Sequence, residues 1–152
     1  MTSSALCTLD LALHLSVPML REVLFAKIHR AVVTGCDPNY MGSITIDPQL
    51  LDATGMVINE KVLVADCENG SRFESYIFEG ERGSREVRVN GAAASLTREG
   101  HHLLIMSFAQ MTPDEMQLHR PKVVICDERN AIAELIEYSP AQAQAALADM
   151  SG

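Results

Sequence analysis

A serine that directly follows a glycine has the groups needed for self-cleavage, because its hydroxyl can attack the carbonyl carbon behind it. The chain contains three such steps: Gly42-Ser43, Gly70-Ser71 and Gly83-Ser84. Each step also fits an ordinary turn, in which glycine and serine are both common. The residues around each step must therefore decide which of them could react.

The first step lies where a predicted loop enters a predicted strand. Residues 31–34 are rich in β-branched side chains, residues 35–39 are turn formers, and residues 43–46 resume the alternation of a strand. The segment Lys27-Ile28-His29-Arg30 lies shortly upstream. The Gly42-Ser43 step is thus expected at the exit of a loop between two strands.

Composition limits the classes of function that the chain can serve. Its 152 residues are 47% hydrophobic and carry a formal net charge of −8, which predicts one soluble globular domain. A negative charge without a lysine or arginine run argues against a nucleic acid partner. The N-terminal residues favour neither a signal sequence nor a membrane span. We therefore expect a cytoplasmic protein in which local cations bind any anionic substrate.

Metal ligands and disulfides are not predicted. His101 and His102 are adjacent, and adjacent strand residues point to opposite faces, so we interpret them as surface or turn histidines. The cysteines lack CxxC spacing and are expected to be small buried hydrophobic side chains. There are four of them: Cys7, Cys36, Cys67 and Cys126.

Local signals predict a series of short elements. Asp47 can cap a helix over residues 48–54 that ends at Gly55. Asn69-Gly70 predicts a hairpin between strands at 61–65 and 72–78. Further strands are expected at 86–89, 103–108 and 122–126, with the spacing of a small barrel, and Ser139-Pro140 can cap a helix over 141–150.

Four runs, in this order and spacing, resemble bacterial aspartate 1-decarboxylase. They are Lys27-Ile28-His29-Arg30, Tyr40-Met41-Gly42-Ser43, Glu81-Arg82-Gly83-Ser84-Arg85 and Asn90-Gly91-Ala92-Ala93-Ala94. The resemblance implies a mainly β fold, a small double-psi β-barrel with short helices, over residues 19–126. Residues 1–18 are then expected to be a disordered N-terminal extension or the result of an upstream start codon, and residues 127–152 are expected to form an acidic, partly helical tail.

The resemblance also implies a reaction. Family members cleave themselves between glycine and serine, which here gives a β chain that ends at Gly42 and an α chain that begins at Ser43. The serine becomes a covalent pyruvoyl group that forms a Schiff base with L-aspartate and acts as an electron sink. The expected product is β-alanine, made for pantothenate and coenzyme A. The resemblance leaves open whether a separate maturation factor is required.

The same resemblance assigns roles to individual residues. Ser75, where the family usually has threonine, would stabilise the oxyanion during cleavage, and Asn90 would hold the cleavage region through its amide. In the substrate site, Arg72 would bind a carboxylate and Tyr76 would reprotonate the decarboxylated carbanion. Further substrate-site residues are expected to be Lys27, which adds positive charge, and the small residues Gly91, Ala92 and Ala93.

Strand alternation constrains this site. Arg72 and Tyr76 should lie on one side of their strand and Ser75 on the other. The three side chains can serve one reaction if the strand bulges or if the site lies between subunits. The resemblance implies a homotetramer with sites at subunit interfaces, which agrees with the second arrangement.

Three other functions remain open from the sequence. A related decarboxylase with another amino-acid preference is one, because Ala65 and Ser75 both reduce side-chain bulk. An unprocessed barrel that only binds a ligand or partner is the second. A serine hydrolase that uses Ser43 and His29 ranks last, because the chain contains no Gly-x-Ser-x-Gly elbow.

Overall fold

The computed structural model describes residues 17–139 and 141–142. Among them are nine strands and two α-helices, together with a 3-10 helix at Gly91–Ser95. The strands are β1 (Arg21–Val32), β2 (Gly35–Asp37), β3 (Ser43–Ile46), β4 (Lys61–Asp66), β5 (Arg72–Glu79), β6 (Val87–Asn90), β7 (His102–Met111), β8 (Lys122–Cys126) and β9 (Ile132–Glu137); the helices are α1 (Pro48–Thr54) and α2 (Pro113–Leu118). No helix in these ranges is long and apolar enough to cross a membrane.

The nine strands form one mixed sheet in the order β2-β6-β3-β5-β4-β7-β1-β8-β9. Most neighbours are antiparallel, while β1 pairs with β8, β2 with β6 and β3 with β5 in parallel. One buried cluster receives side chains from strands far apart in this order, including Ile44, Ile77, Ile105, Ile28 and Val124. The sheet therefore curves around a shared core, which confirms the predicted mainly β class and is consistent with a small barrel.

The helix and the hairpin with the clearest local signals form as predicted. Helix α1 spans residues 48–54, with Asp47 as its N-cap and Gly55 in the left-handed region at its end. Strands β4 and β5 pair antiparallel, with Val62 opposite Ser75. Gly70, in their turn, has a φ of +73°, a conformation that glycine adopts without steric cost.

Other elements differ from the prediction. Strand β1 has 12 residues and begins at Arg21, whereas the first strand was expected only over 31–34. Helix α2 was not predicted, although Thr112 and Glu115 form a capping box at its start. Strand β9 was also missed, because most of its residues are exposed and it lacks an alternating pattern.

The two predicted terminal features lie largely outside the described residues. Residues 1–16 of the extension and residues 143–150 of the expected C-terminal helix are not described. At the start of that helix, the Ser139 hydroxyl accepts a hydrogen bond from the Gln142 backbone N–H at 3.3 Å. The Gln142 side-chain oxygen accepts one from the Ser139 N–H at 2.8 Å.

Asp47 connects α1 to the loop that precedes β6. Its carboxylate accepts hydrogen bonds from the backbone N–H groups of Gln49, Gly83 and Arg85, at 2.9, 3.0 and 2.6 Å. Burial alone would raise the pKa of Asp47, but these N–H groups and the Arg82 charge lower it. One ionised carboxylate thus serves as a helix cap and as a loop anchor.

Replacing Asp47 with alanine should destabilise the fold. The variant leaves three N–H groups without an acceptor, so the free energy of unfolding should fall by about 1–3 kcal/mol. Asp52→Ala is the matched control, because Asp52 lies on the same helix and forms an exposed ion pair with Arg82, which is worth roughly 0–1 kcal/mol. Urea unfolding of both variants measures the difference. Equal losses would show that Asp47 is no more than a surface charge.

Candidate functional site

Ser43 lies at the boundary between an exposed turn and the buried sheet. Residues 38–42 are exposed, whereas Ser43 begins β3 and is only 1% exposed. The peptide bond between Gly42 and Ser43 therefore joins a solvent-exposed glycine to a buried serine that is part of the sheet. This is the loop exit that the sequence predicted.

Asn90 holds the Ser43 hydroxyl. The two residues are opposite each other in the antiparallel β3–β6 ladder. The Asn90 Nδ2 group donates to Ser43 Oγ at 3.0 Å and to Thr45 Oγ1 at 3.1 Å, which uses both of its hydrogens. Asn90 is 2% exposed, and its Oδ1 atom has no hydrogen-bond partner among the described residues. A buried acceptor therefore remains available beside Ser43.

The conformation of Gly42 itself does not require a glycine. Gly42 is not among the residues with positive φ, and a Cβ placed on it would meet no described atom within 4 Å. Gly91, with a φ of +73°, is the left-handed glycine beside this turn.

Strand β5 places its three predicted residues as alternation requires. Phe73 and Ile77 are buried and share a side with the half-buried Ser75, while Arg72 and Tyr76 are exposed on the other side. The predicted separation of Ser75 from Arg72 and Tyr76 is therefore confirmed.

The parallel register between β3 and β5 brings this strand next to the cleavage step. The parallel pairing of these strands begins at Ile44 and Ile77. Ser43 and Tyr76 directly precede these two residues, and Gly42 and Ser75 come one residue earlier, beyond the first pair of the ladder. Strand β5 therefore carries two predicted residues close to the strand end where the Gly-Ser step lies.

Lys27 lies on a distant part of the same outer surface. Cross-strand partners share a face, and Lys27 is opposite Met106, Met106 opposite Leu63, and Leu63 opposite Glu74. Glu74 lies on the same side of β5 as Arg72 and Tyr76. The predicted substrate-site residues Lys27, Arg72 and Tyr76 therefore all face outward. Four strand spacings separate β1 from β3, roughly 19 Å along the sheet. One chain therefore does not bring Lys27 to Ser43.

A groove in the described part of the chain lies away from these residues. It has a volume of about 560 Å³ and is lined by other residues, among them Asp52, Arg82, Arg85, Asn130 and Ile132. Arg72 and Tyr76 do not line this groove; they lie on an exposed side of β5.

The adjacent histidines bind carboxylates. His101 Nδ1 lies 2.7 Å from Asp66 Oδ2, and His102 Nδ1 lies 2.6 Å from Glu68 Oε1. Asp66 also accepts hydrogen bonds from the Thr97 hydroxyl and from the backbone N–H groups of the β4–β5 turn. Both oxygens of this buried carboxylate are thus engaged in connecting the turn to the loop before β7.

His29 remains outside the site. Burial, with the charges of Lys27 and Arg30, lowers the pKa of His29. His29 lies on β1, as Lys27 does, and is about as far from Ser43 along the sheet. Because of this distance, its imidazole cannot act as a base for Ser43 within one chain. The geometry gives no support to a serine hydrolase built from these two residues.

Comparison with known proteins identifies the family. A family model described as aspartate decarboxylase matches residues 19–133. The chain belongs to the aspartate decarboxylase family. This finding confirms the resemblance read from the four runs and extends it into the start of β9.

The similarity to individual aspartate decarboxylase relatives covers most of both chains. The aspartate 1-decarboxylase of Bacillus licheniformis is 49% identical over 124 residues, which are 82% of this chain and 98% of the relative. That of Neisseria meningitidis serogroup C is 50% identical over 122 residues, or 80% and 96%. That of Staphylococcus aureus is 48% identical over 118 residues, or 78% and 93%.

Thr45 contributes to the site, although its role was not predicted from the sequence. Its hydroxyl accepts the second hydrogen bond of the Asn90 amide. Alternation alone places Thr45 on the same side of β3 as Ser43, so a hydroxyl two residues after the cleavage step is a usable signal. Its partner is 45 residues away, and this pairing had no local signal.

The Asp66 carboxylate should make stability depend on acid. Burial opposes its ionisation, but hydrogen bonds from Thr97 and His101 lower its pKa from 3.8 to about 2. Because the folded-state pKa is depressed, this stabilisation is present above about pH 4 and is lost as the pH falls towards 2. Its size is about 2 kcal/mol.

The pH dependence of urea unfolding measures the effect. In the Asp66→Asn variant, the decline in unfolding free energy between pH 4 and 2 should be smaller by about 2 kcal/mol, whereas Asp114→Asn, at an exposed residue of α2, should retain the full decline. Identical pH profiles for Asp66→Asn and the unaltered chain would contradict this role of the carboxylate.

Proposed function

We propose that this chain is the precursor of an aspartate 1-decarboxylase that cleaves itself between Gly42 and Ser43. The mature enzyme converts L-aspartate to β-alanine and CO₂ for pantothenate and coenzyme A biosynthesis. Family membership and the relatives named aspartate 1-decarboxylase support the reaction. The observation that carries the self-cleavage is the Ser43 hydroxyl, held by Asn90 directly beside an exposed Gly42.

The cleavage is an acyl shift followed by elimination. Ser43 Oγ bonds to the Gly42 carbonyl carbon, the bond from that carbon to the Ser43 nitrogen breaks, and the hydroxyl proton moves to the nitrogen. Elimination from the resulting ester removes the α-proton of residue 43 to a base and breaks the bond between its Cβ and Oγ, which releases the Gly42 carboxylate and leaves a dehydroalanine at position 43. Water then replaces the nitrogen, which departs as ammonia, and a pyruvoyl group remains.

Ser75 and Asn90 are the residues assigned to this shift. Ser75 lies on the neighbouring strand, two residues before the Ile44 partner Ile77, and we assign its hydroxyl as the donor to the oxyanion that forms on the Gly42 carbonyl. Asn90 fixes the attacking oxygen. Serine lacks the methyl group of threonine, so the rotamer of its hydroxyl is less restricted. Self-cleavage should be slower here than in a relative with threonine.

The surroundings of position 43 fit a pyruvoyl group. Asn90 Oδ1 is an unused buried acceptor beside Ser43, and the family resemblance assigns the small residues Gly91, Ala92 and Ala93, which follow Asn90 in the 3-10 helix, to the substrate site. When present, the group supplies an electron sink for the pair of electrons that CO₂ loss releases. Tyr76 is the neighbouring residue on β5 and carries the proton donor for the product carbon.

Substrate binding requires cations from a second copy of the chain. Arg72 can bind a carboxylate of aspartate through its guanidinium fork, and Lys27 adds positive charge. Lys27 is roughly 19 Å from Ser43 along the sheet of one chain. We therefore place the site between subunits of a homotetramer in the cytoplasm. Tyr76 and Phe78 are exposed aromatic residues whose ring centroids are 5.9 Å apart, and they can pack against the second subunit.

Mass spectrometry under denaturing conditions tests the cleavage. The purified protein should give one fragment that ends at Gly42 and another with a blocked, pyruvoyl-bearing position 43. Ser43→Ala should give one intact chain without activity. A single intact chain from the unaltered protein under all conditions would refute the proposal.

Tyr76→Phe separates maturation from turnover. The variant removes the proton donor and leaves the acyl-shift residues in place, so cleavage should be normal and β-alanine formation should fall by 10²-fold or more, roughly the contribution of a general acid. Undiminished activity would exclude the proton-donor role.

Faster turnover of glutamate than of aspartate by the unaltered enzyme would overturn the substrate assignment.

Mixed assemblies test whether the site is shared. Lys27→Ala and Ser43→Ala are each expected to be inactive alone. After co-expression, random assembly leaves both intact residues at about one site in four when each residue comes from a different subunit. Recovery of roughly a quarter of the activity supports the shared site. An inactive mixture of stable assembled chains would place both residues in one subunit.

A further inference from the structure

Gly91 allows a close backbone approach at the cleavage turn. A Cβ placed on it would lie 2.6 Å from Gly42 Cα, 2.9 Å from Gly42 N and 3.3 Å from Tyr40 O. All three are backbone atoms, so they cannot rotate away as the end of a flexible side chain can. The φ of Gly91, +73°, is also unfavourable for residues with a Cβ.

The ladder between β3 and β6 explains this approach. Ser43 is opposite Asn90, and the next step of the same antiparallel register places Gly42 opposite Gly91. The chain turns into the 3-10 helix at Gly91, so its backbone lies against the glycine whose carbonyl Ser43 attacks. Asn90 and Gly91 thus contact the two sides of the bond between Gly42 and Ser43.

We propose that Gly91 is a positioning residue for self-cleavage. Its missing side chain lets Gly42 lie against the start of the 3-10 helix, where the Gly42 carbonyl stays next to the hydroxyl that Asn90 holds. A side chain at position 91 displaces Gly42 and interrupts the acyl shift. The inference rests on the proposed self-cleavage and assigns Gly91 to maturation, in addition to the substrate site implied by the family resemblance.

A matched pair of glycine variants separates this contact from backbone strain. Gly91→Ala introduces both the strain of a positive φ and the contact with Gly42. Gly70→Ala introduces the same strain, since Gly70 also has a φ of +73°, but its Cβ would meet no described atom within 4 Å. Any difference in cleavage between the two variants therefore reports the contact at Gly42.

The experiment follows self-cleavage of each purified full-length chain by intact mass, with the thermal midpoint measured alongside. Gly91→Ala should cleave about 10²-fold more slowly, as expected when reacting groups are displaced by about 1 Å. Gly70→Ala should cleave at the rate of the unaltered chain. Equal cleavage of Gly91→Ala and the unaltered chain would overturn the role of Gly91 alone. Failure of the unaltered chain to cleave would overturn the proposed function and this role with it.

Hydroxylamine identifies the step that is slowed, because under mild conditions it cleaves esters, and a cut at the ester is distinguished by mass from a cut at Asn69-Gly70. Gly91→Ala should release little of the fragment that ends at residue 42, since the clash slows ester formation. Abundant release of that fragment would show that the shift occurs and would contradict the proposed position of Gly42. The thermal midpoint of the same sample distinguishes this result from a simple loss of stability.

A second variant at position 91 tests the role of Gly91 if Gly91→Ala folds poorly. Gly91→Asn carries the same Cβ in a residue that tolerates positive φ better than alanine, and Gly70→Asn is its control. A folded Gly91→Asn chain that remains uncleaved supports the contact. If both variants at position 91 unfold while both controls fold, Gly91 is a folding residue and the positioning role is wrong.

Discussion

The amide of Asn90 fixes the serine oxygen before any reaction begins. Both of its hydrogens are used, one by Ser43 and one by Thr45, so the amide cannot rotate without breaking two hydrogen bonds. Burial strengthens such bonds, because water does not compete for them. The orientation of the nucleophile is thus determined by the register of β3 on β6, and that register depends on the buried residues of both strands.

The two faces of the sheet differ in composition and in role. The inner face contains aliphatic side chains such as Ile28, Ile44 and Ile105, which form the core. The outer face contains Lys27, Arg72 and Tyr76, and the curvature of the sheet directs neighbouring outward side chains away from each other. A convex surface cannot enclose a small dicarboxylate by itself. The same curvature that creates a core in one chain therefore favours a substrate site completed by another.

Local signals made part of the fold predictable. Asp47, Pro48 and Gly55 mark the ends of α1, and Asn69-Gly70 marks the hairpin. The family resemblance correctly identified the chain and proposed Asn90 as a partner of the cleavage region. The approach of Gly91 to Gly42 was not predictable, because it depends on strand pairing between segments 49 residues apart. Strand β9 was missed since an exposed edge strand needs no apolar alternation.

The position of β1 has a consequence for the mature protein. β1 lies inside the sheet, with β7 on one side and β8 on the other, whereas the proposed cut falls after it, before Ser43. The two fragments would stay interleaved through the backbone hydrogen bonds of β1 and through the pairing of β2 with β6. Once denatured, they would have to find each other in solution, so reassembly would depend on concentration. A chain that folds alone before the cut would thereby become a complex of two fragments.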